Sequence, residues 1–254
     1  MNDSEKRKRF KEYLKDEPSL PEIIEDPYLE RLKEHQIPNY LLDTYQWAYI
    51  KPKNIDFLDN VFIYHLILFG QGAKLMKTYL REIKPTDKVL QVAHVYGNLV
   101  KKIAAKVQAK GSLDLIDVVP YQLEKAKLKL KGFKNVDMWL QDAAVLYHRS
   151  YDFIGIYFLL HEVPDYVKKQ IIENALQQID ENNAKVVFID YHNPSFFNPI
   201  RPILSLVNLF LEPYSNALWE REIKNFTNKA HKYHWEKTTF FGSTYQKVVV
   251  SKKQ

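Results

Sequence analysis

The chain has 254 residues, 37 Lys and Arg against 31 Asp and Glu for a formal charge of +6, and no cysteine. That length suits one large domain, or one domain with an appendage, burying roughly 70–75% of its unfolded surface. The missing cysteine excludes disulfides, thiolate metal sites and cysteine nucleophiles, and the mild basic excess without a concentrated basic patch gives no reason to expect a nucleic-acid partner.

Residues 1–26 mix charges of both signs with Pro18 and Pro21 and read as a frayed helix followed by a linker. The first residues lack the apolar core of a secretory signal, and Asp3, Glu5 and Glu12 argue against a mitochondrial presequence. Asp26-Pro27 opens a short helix, and Pro38 begins an aromatic one in which Asp43, Tyr45 and Tyr49 fall close enough to line a pocket mouth, plain packing being the alternative. The apolar run 61–69 is expected to be buried in protein or in lipid headgroups. No apolar run approaches the ~18–20 residues that a membrane-spanning helix needs.

Val89-Leu90-Gln91-Val92 leads through a turn ending at Gly97 into the helical pattern Leu99, Val100, Ile103, Ala104, Val107. Strands are expected at about 88–93, 112–117, 134–139, 151–158, 185–191, 235–241 and 245–251, with helices between the first five. Such βα repeats imply an α/β, three-layer, mainly parallel seven-stranded sheet. Only Phe241-Gly242-Ser243-Thr244 separates the last two runs, so they should form a C-terminal β-hairpin. Over about 80–254 this order resembles the class I S-adenosylmethionine-dependent methyltransferase fold, which is Rossmann-like. The expected division is a charged N-terminal extension (1–36), a helical cap (37–80) and a Rossmann-like core (81–254).

In that fold an acidic residue ending the second core strand takes the ribose hydroxyls, because one carboxylate can accept both hydrogen bonds. Asp117, in Leu115-Ile116-Asp117-Val118-Val119-Pro120-Tyr121, holds that place, with a helix N-cap as the bland alternative. Asp142 after the third strand matches the adenine-contacting position, or is an exposed loop aspartate. His161 and Glu162 follow the fourth strand, and Asp190 and His192 close the fifth. All four gather at neighbouring strand ends, as a metal or acid-base cluster would. The turn after the first core strand departs from the pattern: methyltransferases begin it with an acidic residue and glycines, whereas Gln91, Ala93, Val95 and Gly97 stand here. These residues, Gln91, Ala93 and Gly97 included, would face the methionine half of the ligand with a bulkier, less acidic wall.

That departure, with Asp43-Thr44-Tyr45-Gln46-Trp47-Ala48-Tyr49, Phe158-Leu159-Leu160-His161-Glu162, Asp190-Tyr191-His192-Asn193-Pro194 and the hairpin turn, resembles the rhodoquinone-biosynthesis proteins of the methyltransferase superfamily over about 37–250. The resemblance implies conversion of ubiquinone to rhodoquinone by replacing a ring methoxy group with an amine, with S-adenosylmethionine as amino donor assisted by manganese (Mn2+). It further implies a polyprenyl quinone substrate near Tyr45 and Tyr49, and a cytoplasmic enzyme peripheral on the inner membrane, on the matrix side in a eukaryote. Within it His94, His161, Glu162 and His192 become catalytic candidates, with Glu162, Asp190 and His192 as metal ligands and His94 positioning or deprotonating the amine. Neutral histidines in these roles would make activity fall as pH drops through roughly 6–7. Residues 199–213, a proline-bracketed apolar piece, would lie in the membrane interface or cover the tail channel, or else form a buried core helix. An ordinary methyltransferase on a quinone or lipid, and a catalytically dead methyltransferase fold serving assembly or lipid binding, are the other readings.

Overall fold

The computed structural model describes residues 23–25, 37–45, 47–48, 52–107, 110–147 and 149–253. A three-residue strand β1 (Ile23–Glu25) precedes β2 (Lys88–Val92), β3 (Ser112–Asp117), β4 (Val136–Leu140), β5 (Phe153–Tyr157), β6 (Lys185–Tyr191), β7 (Tyr233–Phe240) and β8 (Tyr245–Lys252). They form one sheet in the order β1-β4-β3-β2-β5-β6-β8-β7. All neighbours are parallel except β8, which runs antiparallel to β6 and to its hairpin partner β7. The seven expected strands and the closing hairpin are therefore present. β1 is an addition, sitting where a linker was expected and extending the sheet beyond β4. The helix expected from Asp26, and most of residues 1–36, lie outside the described residues.

The helices are α1 (Asn39–Thr44), α2 (Pro52–Leu58), α3 (Val61–Ile67), α4 (Gly72–Leu80), α5 (Leu99–Val107), α6 (Pro120–Lys129), α7 (Asp165–Asn182), α8 (Arg201–Phe210) and α9 (Asn216–Glu220). Successive strand residues point to opposite faces, and the core divides accordingly. Val89, Leu113, Phe153 and Val187 pack with α4, α5 and α6. Leu90, Ile116, Ile154 and Val186 pack with α7 and α9. Three layers result, with apolar residues on both faces of the parallel strands.

From β2 the chain moves to β3 on one side and later returns to β5 on the other. That reversal opens a crevice outside the carboxyl ends of the strands, where the loops after β2, β3 and β5 meet. Beneath it Tyr79 of α4 crosses β5 so closely that a Cβ on Gly155 would lie 1.4 Å from its hydroxyl. The hydroxyl donates to Gln91 Oε1 at 2.7 Å, anchoring the end of β2. Replacing Gly155→Ala forces the ring away from a fully packed core and should lower the free energy of unfolding by about 3 kcal/mol, read from urea melts. A cost below roughly 1 kcal/mol would mean that Tyr79 moves aside freely.

Candidate functional site

The loop after β2 is stitched to its surroundings at nearly every polar position. Ala93 takes a left-handed backbone with φ of 65°, which costs an L-residue about 1–2 kcal/mol relative to glycine. The amide of His94 donates to Asp117 Oδ2 at 2.8 Å, and that of Gly97 to Asp59 Oδ1 at 3.1 Å. The Tyr96 hydroxyl donates to the Ala48 carbonyl at 2.7 Å. Gln91 is fully buried, its amide nitrogen donating to the carbonyls of Val92 and Ala93 at 3.1 and 3.3 Å. Neither Gln91 nor Gly97 lines the cavity, whereas Ala93 and His94 do. Gln91 Oε1 is already taken by Tyr79, so the position where an acid usually stands presents no carboxylate to the crevice.

His94 has both ring nitrogens engaged, Nδ1 with Gln122 Oε1 at 2.8 Å and Nε2 with Lys129 Nζ at 3.0 Å. Burial and the neighbouring Lys129 hold its pKa well below the ordinary histidine value. Lys129 in turn pairs with Asp59. Asp59, at the junction of α2 and α3, thus secures the loop through Gly97 and the histidine through Lys129. Nothing in its local pattern marks it.

The cavity above the loop has a volume of about 180 Å³ and is bounded by Tyr40, Trp47, Tyr64, Asp117, Asp142, Tyr157, His161 and Glu212, among others. Asp117 accepts the Val119 amide on Oδ1 at 2.8 Å as well as the His94 amide. Burial nevertheless outweighs these amide donors and lifts its pKa to about 6. A carboxylate has about four acceptor sites, so the amides leave it capacity to spare. Asp142 Oδ1 takes the Ala144 amide at 2.8 Å, closing its own turn at the cavity wall. Tyr45 is fully buried outside the lining residues, its hydroxyl 3.4 Å from the His161 carbonyl, and Tyr49 lies outside the described residues.

At the end of β5, His161 Nδ1 contacts Asp190 Oδ1 at 2.8 Å, and Nε2 lies 3.5 Å from Glu162 Oε1. Burial opposes the charged ring, but Asp190, Glu162 and Glu212 together raise its pKa to about 9. His161 is therefore held as an imidazolium at neutral pH, and its own protonation would not account for a loss of function between pH 6 and 7. A raised histidine pKa favours the folded state fully below about 6.5 and loses that contribution as pH rises through about 9.

The expected manganese cluster does not assemble. Asp190 spends its oxygens on His161, the Leu160 amide at 2.8 Å and the Tyr191 amide at 2.7 Å. His192 places Nδ1 at 3.1 Å from the Ser243 carbonyl, beside the hairpin turn and off the cavity. Among the described residues no three His, Asp or Glu side chains could share an ion. Adjacent strand ends brought the four residues near one another without converging their lone pairs.

Glu212, just beyond α8, is the cavity carboxyl that sequence reading missed. Its Oε2 is buried without a hydrogen-bond partner, and burial raises its pKa. It arrives there because buried Lys168 of α7 donates to the Val163 carbonyl at 2.6 Å and the Tyr214 carbonyl at 3.0 Å, fastening the segment after α8 to the turn that carries His161.

The profile of the ubiE/COQ5 methyltransferase family matches residues 59–195. The chain belongs to that family. Solved structures share its fold. An O-methyltransferase family protein from Burkholderia thailandensis superposes with a TM-score of 0.61 at 8% identity, covering 89% of this chain and 67% of that one. A SAM-dependent methyltransferase from Aquifex aeolicus gives 0.52 at 20% identity, covering 80% and 98%. The N-methyltransferase NodS from Bradyrhizobium japonicum gives 0.52 at 12%, covering 72% and 94%. Among curated proteins none matches the chain.

As a ubiE/COQ5 methyltransferase the protein is an S-adenosylmethionine-dependent transferase, and its cavity suits such a ligand. Asp117 keeps spare acceptor sites for hydroxyls, Asp142 can take an amine, and Glu212 Oε2 offers a buried acceptor otherwise unused. Hydroxyls of a ligand bound here would donate to the ionised form of Asp117. Calorimetry should therefore find S-adenosylmethionine affinity steady above pH 7 and falling by up to about tenfold per pH unit below 6. Asp117→Asn should weaken binding about tenfold to a hundredfold and flatten that dependence. An unchanged pH profile in the variant would place the titrating group elsewhere.

Proposed function

We propose that this ubiE/COQ5 methyltransferase acts on the ring of a polyprenyl quinone, replacing a methoxy group of ubiquinone with an amine to give rhodoquinone. The observation that carries this reading is the internal saturation of Gln91. At the methionine end of the ligand the loop lacks the carboxylate that would hold an ammonium group as an inert anchor, so the amine is left to other partners. In the proposed reaction S-adenosylmethionine supplies the nitrogen: its deprotonated amine bonds to the methoxy-bearing ring carbon, the carbon–oxygen bond breaks and methanol leaves with the amine's proton; the donor's carbon–nitrogen bond then breaks by elimination, the nitrogen keeping the bonding pair and gaining a proton while the adjacent donor carbon loses one, which frees the ring amine and leaves the donor skeleton as an alkene.

The chain's own residues meet the two requirements of that displacement. The imidazolium of His161, held by Asp190, donates toward a quinone carbonyl oxygen and draws electron density from the ring. Glu212, a carboxyl with a raised pKa and an unused oxygen in the cavity, receives the proton the ammonium must lose. His94, neutral and bonded at both nitrogens, serves as a positioning residue that fixes the loop to α6. The donor set among the described residues does not fit manganese.

Incubation with S-adenosylmethionine and a short-chain ubiquinone should yield the amino quinone by mass spectrometry. The rate should fall as pH rises through about 9, where His161 loses its proton. His161→Gln should slow turnover by a factor of roughly 10²–10⁴. Family membership favours a second reading, methyl transfer to a quinone or related lipid, and a methylated product with no amine would establish it in place of the first. Failure to bind S-adenosylmethionine at all would leave only an inactive fold with an assembly or lipid-binding role.

A further inference from the structure

The end of the cavity beside Gln91 and Gly97 is closed by two phenols. The ring of Tyr64, from α3, covers Gly97 so closely that a Cβ there would lie 3.3 Å from its Cδ1 atom. Tyr157, the last residue of β5, packs edge-on against Tyr79, whose hydroxyl holds Gln91, with ring centroids 5.3 Å apart. Both tyrosines are buried, and both line the cavity. Their hydroxyls share a hydrogen bond at 2.9 Å. Only one of the two O–H groups is spent on that bond, so the pair keeps one donor together with acceptor lone pairs.

The groups that bear on this pair are other phenols. Burial raises the pKa of Tyr64 to about 12 and Tyr157 alone opposes it, so among the described residues no carboxyl or ammonium acts on it. Tyr157 is raised by burial and then by Tyr64, Tyr79 of α4 and Tyr245 of β8. His65 stands edge-on to the Tyr64 ring, 5.3 Å between centroids. The cavity's carboxyls bear on different tyrosines: Asp142, Glu162 and Asp117 on Tyr40, and Glu212 and Glu162 on Tyr45. An ionised group entering the phenol-walled end therefore loses water without gaining a counter-charge. A carboxylate, with an ordinary pKa of about 3.5, cannot escape that cost near neutral pH, whereas an ammonium can by giving up its proton. The neutral amine then fits. Its lone pair accepts the spare O–H, and its N–H groups donate to the phenol oxygens.

We propose that the Tyr64–Tyr157 hydroxyl pair seats the amino group of S-adenosylmethionine as the neutral amine. This seat rests on the amination reading, which needs a nucleophilic nitrogen and passes the shed proton to Glu212. Ligand binding without any quinone tests it, so a failed product assay and a failed seat are separate results.

Calorimetry on the full chain compares S-adenosylhomocysteine, which carries the same amine, with its deaminated analogue, which keeps the carboxylate. The ratio of the two affinities should rise by up to about tenfold per pH unit from about pH 6 until the α-amino group, ordinarily of pKa about 8, is neutral in solution. Protein groups such as Asp117 and His161 act on both ligands and drop out of the ratio. At about pH 9, Tyr64→Phe and Tyr157→Phe combined should lower the ratio about tenfold while affinity for the deaminated analogue holds, and each single change should fall between. Each variant keeps its rings, and circular dichroism reports its folding; if the double variant does not fold, the single changes are read in its place. A wild-type ratio that stays flat or falls as pH rises means that the ammonium binds, and overturns the proposal. So does a folded variant that keeps the wild-type ratio, or one that loses both ligands equally, which would assign the pair to the carboxylate or to packing.

Discussion

The carboxylate of Asp117 holds the two loops that shape the cavity. It accepts one amide from the turn after β2 and one from its own turn after β3, so the floor of the crevice and the start of α6 share a single anchor. A glycine-rich loop would leave its amides open to a ligand. Here those of His94 and Gly97 are consumed by Asp117 and Asp59, and Tyr96 reaches the cap at Ala48. The loop trades an amide cradle for attachment to the protein, and the left-handed Ala93 is a local cost of that arrangement.

Charge is distributed unevenly around this anchor. On one side His94 is kept neutral by burial beside Lys129. On the other His161 is kept charged by three carboxylates that outweigh its burial. Two histidines bordering the same cavity thus hold opposite protonation states across the physiological range, set by neighbours rather than by exposure. A fixed cation beside a carboxyl with an unused oxygen is an acid-base pair, whichever group the transferase moves.

Lys168 links the two halves of that pair. Its ammonium, buried among the Val163 and Tyr214 carbonyls, draws the segment after α8 against the turn after β5. Glu212 is thereby placed in the cavity while the preceding α8 keeps its apolar stripe outward. One buried cation therefore couples the interior chemistry to the exposed surface beside it.

Sequence alone determined the parallel core, the hairpin and the candidate role of Asp117, because alternation in β3, helical spacing in α5 and an acid ending a strand are local patterns repeated within a few residues. It also marked the altered turn at Gln91–Gly97. Only tertiary structure decided what those residues do with their polar atoms, since the deciding partners are distant: Ala48 for Tyr96, Lys129 for His94, Asp190 for His161. Adjacency at strand ends suggested a metal cluster, yet hydrogen bonds from Leu160 and Tyr191 occupy Asp190, and Ser243 turns His192 aside. Protonation followed the same logic. A histidine's residue type sets its ordinary pKa, but burial and the charges that folding brings to it set the actual one, and no local pattern encodes either.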